Sequence, residues 1–197
     1  EAGYDKEYSF QTKKLHELPS WTDVMKYSPD SQTLTTKQPV FLDFGAAGKG
    51  YLIDIIAALL TNEKIATFCI DAGGDILYKT DGEKTLRIGL EHPEHPDEVI
   101  GVVPLLANKS ICGSAGNRRS WGNFHHIINP KTLLSPVQIL ATWVIADEAL
   151  VADALATCLF LTDVEKLTKE FRFEYLIMYA DHTTQKSLHF PGELFYT

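Results

Sequence analysis

Between Lys49 and Thr61 the apolar residues fall at positions 52, 53, 56, 59 and 60, the spacing that lines one face of an α-helix. Residues 150–161 read as a second helix, full of small side chains, and residues 164–171 as a third close behind it. Elsewhere the apolar runs are shorter and rich in β-formers. Predicted strands are 40–44, 65–70, 76–78, 86–90, 99–105, 110–112, 124–128, 139–146, 175–180 and 186–190. Residues 1–38 are polar and irregular, with a short helix expected near 22–27. Gly45–Gly50 (GAAGKG) is a glycine-rich turn between a strand and a helix, Asp71–Asp75 (DAGGD) is a tight turn, and Asn129-Pro130 is a turn dipeptide. Several strands are separated only by turns. That favours an α+β fold, with mixed and antiparallel sheets and packed helices, over a doubly wound parallel sheet. No repeat or linker divides the chain, so residues 1–197 are expected to form a single domain.

Composition narrows the classes of function. Hydrophobic residues make up 45% of the chain and charged ones 22%, as in an ordinary globular protein. The longest apolar stretches are interrupted or too short to form a transmembrane segment. A net charge of −8 with no basic stripe argues against nucleic acid as a partner. An anionic ligand would therefore need local help, from a metal or from backbone N–H groups. Cys69, Cys112 and Cys158 lie far apart within apolar runs and are expected to be buried free thiols. The sequence opens at Glu1 without methionine and shows no signal peptide, which leaves the compartment open between extracytoplasmic and cytoplasmic.

Five short segments carry candidate chemistry. The glycines of GAAGKG let a backbone approach a phosphate at a helix N-terminus, with Lys49 beside it, although neither the Walker spacing nor GxGxxG is present. Gly73 and Gly74 in DAGGD permit positive φ or close packing. CGSAGNRR supplies Ser114 and two arginines for an anion. In HHIINP, adjacent strand residues face opposite ways, so one of His125 and His126 at most faces a given site. There it can act as a general base near neutral pH, although a histidine on a strand is more often structural. Asp153 and Thr157 in VADALATCLF stand four residues apart on one helix face and offer hard oxygen ligands suited to Mg²⁺.

The order LDFGAAGKGYLID, DAGGDI, CGSAGNRR, HHIINPKT, VADALATCLF resembles the ApbE family of FAD:protein FMN transferases, from about residue 40 to the end. Residues 1–39 are poorly matched. The resemblance implies an α+β, T-fold-related domain that binds FAD in a cleft. It implies Mg²⁺-assisted transfer of FMN from FAD to a Thr or Ser hydroxyl of a target flavoprotein, releasing AMP. Alternatives are hydrolysis of FAD to FMN and AMP, and a non-catalytic flavin-binding module. Carried over by position, Asp43, Lys49, Gly73, Gly74, Ser114 and Ile127 would meet the flavin nucleotide. The Ala46 carbonyl, Asp153 and Thr157 would hold the metal, and His126 would act as the base. The chain departs from the family pattern at Gly113, where Thr is common, and at Ala115, where Gly is. It departs also at Asn129, which replaces Asp, and at Leu133, which replaces Gly. Family members are often exported lipoproteins serving membrane redox complexes.

Overall fold

The computed structural model describes residues 2 and 9–195. A short helix, Trp21–Val24 (α1), runs directly into a strand, Met25–Ser28 (β1), which forms an exposed hairpin with Thr33–Thr36 (β2). The region expected to be irregular thus holds a two-stranded sheet, and the helix foreseen at 22–27 ends halfway.

Six strands form the central sheet, in the order β12-β11-β10-β7-β4-β3, and every neighbouring pair is antiparallel. They are Phe68–Asp71 (β3), Ile76–Lys79 (β4), Lys109–Ala115 (β7), Ile139–Ala146 (β10), Glu174–Tyr179 (β11) and Thr184–Lys186 (β12). The middle strands are covered on both faces. Trp143, Ile145, Leu176 and Met178 join a cluster with Leu90, Val103 and Leu105. Those last three come from a smaller sheet made by Leu86–Glu91 (β5), Val99–Leu105 (β6) and Glu193–Leu194 (β13). The alternate residues Val144, Ala146, Tyr175 and Ile177 pack on the other face with Ala152, Leu155 and Ala156 of the helix Ala149–Cys158 (α3). Period-two alternation between two apolar surfaces explains why 139–146 reads as one continuous β-forming run.

The helix Gly48–Asn62 (α2) lies beside α3 and covers β3 and β4, burying Ile53 and Ala57 against Leu77 and Ala149. Val164–Glu170 (α4) follows α3, and a two-stranded ribbon pairs Ser120–Trp121 (β8) with Phe124–His125 (β9). The α+β class with antiparallel sheets is therefore the one observed, and among the described residues no helix is long and apolar enough to cross a membrane.

Some local expectations fail for tertiary reasons. Residues 40–44 are not a strand: Phe41 is 93% and Phe44 71% exposed, and among the described residues no sheet edge pairs with them. The strand expected at 65–70 begins only at Phe68, after Lys64 takes a left-handed φ of 62°. The one expected at 186–190 ends at Lys186, and a turn follows in which Phe190 N–H bonds to the Ser187 carbonyl at 3.2 Å. Cys112 is buried and Cys158 half-buried, but Cys69 is exposed. Cys69 sits on the edge strand β3 and points away from Phe68 and Ile70, which face α2.

Candidate active site

Neither long helix caps itself. The residues preceding them, Ala47 and Glu148, make no side-chain cap, yet the first turns are satisfied by exchange. Asp54 of α2 accepts the N–H groups of Ala149 and Leu150, at 2.9 and 2.8 Å, at the start of α3. Asp153 of α3 accepts the Gly50 N–H, at 2.9 Å, at the start of α2. Each carboxylate meets the positive end of the other helix dipole. The exchange requires the helices to touch. A Cβ on Gly50 would overlap the Ala149 carbonyl and come within 2.8 Å of the Leu150 Cα, which is why glycine stands there.

The capping also changes the backbone before α2. In a continuing helix the Gly50 N–H would bond to the carbonyl of Ala46, four residues back. Here the ladder opens one residue later, with Tyr51 N–H on the Ala47 carbonyl at 3.0 Å. Ala46 lies in the exposed turn just before.

Around this corner the polar groups converge. Lys49 Nζ forms an ion pair with Asp75 Oδ2 and a longer one with Asp153 Oδ1, at 3.3 Å. Asp75 is 1% and Asp153 2% exposed, so two buried carboxylates share one ammonium and leave a negative charge uncompensated. Asp75 Oδ1 also accepts the Gly113 N–H at 3.3 Å. One turn along α3, Thr157 Oγ1 lies 3.2 Å from Ser114 Oγ on β7. The side-chain donors on this face of α3 are therefore a carboxylate and a hydroxyl, both hard oxygens, with residual negative charge beside them. That set fits Mg²⁺ and would not favour a thiophilic ion.

Lys49, Ser114, Asp153 and Thr157 are thus brought together. Gly73 and Gly74 lie in the turn leading to Asp75 at φ 74° and 98°, with Asp71 Oδ1 accepting the Gly74 N–H at 2.8 Å. Asp43 is exposed, and its Oδ1 accepts the Gly45 N–H of its own turn at 2.7 Å. Ile127 is buried at 4%.

The two histidines separate by their partners. His125 spends its ring on the backbone: Nε2 lies 2.9 Å from the Pro136 carbonyl, and Nδ1 accepts the Ile127 N–H at 3.3 Å. Its main chain is clamped by Ser135, whose Oγ accepts the His125 N–H and donates to the His125 carbonyl, both at 2.9 Å. His126 is tied by its own N–H to the Arg119 carbonyl at 3.0 Å, while its buried Nδ1 has no hydrogen-bond partner among the described residues. Burial, then the charges of Arg119 and His125, hold the His126 pKa below the ordinary imidazole value of 6.5, so the ring is neutral at pH 7. The strand expected at 124–128 ends at His125, because the chain leaves its partner β8 there. Arg118 is engaged away from this ring, with Nη2 2.7 Å from Glu91 Oε2.

Two residues central to this geometry were not singled out from the sequence. Asp75 closes DAGGD, and the signal available was its place after two glycines. Asp54 was one helical turn from Gly50 in GKGYLID; nothing local shows that its partner lies 95 residues on. The family departures also acquire a physical reading. Leu133 adopts φ 59°, a conformation glycine enters freely, and Asn129 Oδ1 accepts the Lys131 and Thr132 N–H groups, as a carboxylate oxygen would.

The family model described as "ApbE family" matches residues 4–176. The chain is 29% identical over 159 residues to an FAD:protein FMN transferase of Rhodobacter capsulatus, covering 78% of this chain and 30% of that protein. It is 27% identical over 168 residues to an FAD:protein FMN transferase of Haemophilus influenzae, covering 78% and 48%. The chain thus spans less than half the length of these relatives. Among solved structures, the ApbE protein of Thermotoga maritima superposes with a TM-score of 0.74 at 24% identity, over 87% of this chain and 60% of that one. The flavin transferase ApbE of Vibrio cholerae gives 0.67 at 19%, over 85% and 57%. With the family model matching most of its length and the fold shared with these structures, the chain belongs to the ApbE family.

Proposed function

We propose that this protein is a Mg²⁺-dependent FAD:protein FMN transferase, which moves FMN from FAD onto a Thr or Ser hydroxyl of an acceptor flavoprotein and releases AMP. The observation that carries the reading is the α2–α3 corner. Two helix N-termini and Lys49 meet there beside buried Asp75 and Asp153. A diphosphate is drawn to the half-exposed Lys49 ammonium in the first turn of α2. The residual negative charge and the hard-oxygen donors of Asp153, Thr157 and the Ala46 carbonyl would hold the Mg²⁺. When bound, the metal offsets charge on the non-bridging phosphate oxygens.

The chain's own groups then have distinct roles. Lys49 binds and orients the diphosphate, exchanging its carboxylate partners for phosphate oxygens. Ser114 holds the Thr157 hydroxyl in position. Gly73 and Gly74 keep the turn before Asp75 free of side chains, and Asp43 and the backbone about Ile127 border the nucleotide. His126, neutral at pH 7, takes the proton of the acceptor hydroxyl. The hydroxyl oxygen bonds to the FMN phosphorus, the diphosphate bridge breaks, and AMP departs. Water in place of the hydroxyl would give FMN and AMP.

The test is incubation with FAD and Mg²⁺, with and without an acceptor domain carrying a Thr/Ser flavinylation motif, separating adduct, FMN and AMP. An adduct formed with stoichiometric AMP supports transfer. FMN and AMP without adduct supports the diphosphatase. FAD that binds but stays intact under both conditions sinks both.

A further inference from the structure

We propose that His92, Glu94 and His182 form a second cation site, which takes a divalent transition ion of the zinc class and shares no residue with the α2–α3 corner. His92 and Glu94 lie in the loop between β5 and β6, and His182 in the turn between β11 and β12. Their candidate ligand atoms all fall within 4.8 Å of one another. His182 Nε2 is 3.0 Å from Glu94 Oε2, and the His92 and His182 rings are 5.9 Å apart between centroids, at 65°. In a tetrahedral zinc site with bonds of about 2.0–2.1 Å, neighbouring ligands stand about 3.3 Å apart. The observed set therefore closes by small movements of two surface side chains.

The chemistry selects the ion. Two imidazoles and one carboxylate suit zinc, cobalt or nickel, whereas Mg²⁺ prefers all-oxygen ligands. Three protein ligands leave a fourth position to water. His92 is 6% exposed and forms the floor, while Glu94 and His182 form the rim. The floor is held by a closed turn in which the His92 N–H bonds to the Glu98 carbonyl and the Glu98 N–H to the His95 carbonyl, both at 2.9 Å. His182 adopts φ 67°, a left-handed conformation uncommon for a non-glycine residue. The segment EHPEHPDE (91–98) also carries Asp97 and Glu98, acidic residues close in sequence to the site.

His92 Nδ1 now accepts the N–H groups of Glu94 and His95, at 3.1 and 3.3 Å. A cation taken at Nδ1 displaces these two long contacts, and one taken at Nε2 requires the ring proton to move to Nδ1, which displaces them too. Occupancy would matter to the neighbouring arm. The Pro93 carbonyl accepts from Asn117 Nδ2, and Glu91 pairs with Arg118, so the ion would stiffen the mount of the segment after β7.

The experiment uses the full chain without an affinity tag, stripped by chelator, in excess Mg²⁺. Co²⁺ is titrated and followed by its visible d–d absorption, then displaced by Zn²⁺ in a calorimetric competition. The expected result is one tightly held Co²⁺ with a tetrahedral-type spectrum. His182→Ala and Glu94→Gln should each weaken it by at least about tenfold, and Asp153→Ala should leave it unchanged. No Co²⁺ uptake overturns the proposal. So does uptake indifferent to both rim substitutions, or abolished by Asp153→Ala. Both rim side chains are half-exposed, so the variants should fold, and circular dichroism checks it. Because the readout is metal uptake without FAD, its failure is separate from failure of the transferase reading.

Discussion

At the α2–α3 corner, Asp54, Asp75 and Asp153 each bond to a neighbour inside the protein, and the two helices touch through a glycine. The segment from 116 to 137 is different. It is mostly turns and short bridges, anchored through His125 and Ser135, and His126 presents a buried Nδ1 with no hydrogen-bond partner among the described residues. The corner is an electrostatic frame whose helix ends and buried carboxylates are held by the fold, with the half-exposed Lys49 as its movable charge. The arm carries a ring nitrogen that none of the described residues engages. Substitutions in the corner should therefore disturb folding and chemistry together, and substitutions in the arm chemistry alone.

Asp153→Ala should show the largest effect. It removes a proposed metal ligand, strips the α2 cap and leaves Asp75 and Lys49 as an altered pair. Adduct formation should fall by at least about 10³-fold, with about 1–2 kcal/mol of stability lost with the cap. Parallel transfer assays and urea denaturation would measure both. An unchanged unfolding midpoint would break the claim that the corner combines the two roles.

His126→Ala should lower transfer by about 10²–10⁴-fold while leaving the urea midpoint nearly unchanged. In the parent protein the acidic limb of the rate profile should lie below pH 6.5, because the ring's pKa is lowered. The sign for stability follows from the same shift. Above pH 6.5 neither folded nor unfolded ring is protonated, and the neutral state costs nothing. As pH falls through 6.5 the unfolded chain takes up the proton first, and stability declines until the folded pKa is passed. A rate limb above pH 7 would argue against His126 as the base.

Gly50→Ala tests the helix contact with no change in charge. Its methyl would meet backbone rather than a movable side chain, so about 3 kcal/mol of destabilisation is expected by chemical denaturation. Asp54→Ala should cost about 1–2 kcal/mol as a lost cap and shift the metal dependence of transfer, with Asp54→Asn recovering part of both. Leu133→Gly lies in the arm and should be the mildest. Relief of the positive φ should contribute under about 1 kcal/mol, read from the thermal midpoint, with transfer unaffected.

Much of this comparison was readable along the chain. The helical period of α2, the β-rich run of β10 and the i, i+4 relation of Asp153 and Thr157 are local patterns, and helix and strand geometry turns them directly into faces. Where an apolar run failed to become a strand, as at 40–44, the missing element was a pairing edge, which no local pattern reports. The two histidines illustrate the same limit. Their order said that they should differ. Only the packing of His125 against Ser135 and Pro136 shows which ring is already engaged.

By itself the sequence determined the α+β class, the helices α2 and α3, and the carboxylate and hydroxyl that Asp153 and Thr157 bring to one face of α3, because periodicity and side-chain chemistry are properties of neighbours in the chain. Tertiary structure alone decided that Asp54 and Asp153 cap each other's helices, that Asp75 competes for Lys49, and that His92 and His182 meet. These contacts join residues 26 to 104 positions apart, and such pairs are chosen by the burial of whole faces rather than by any local preference.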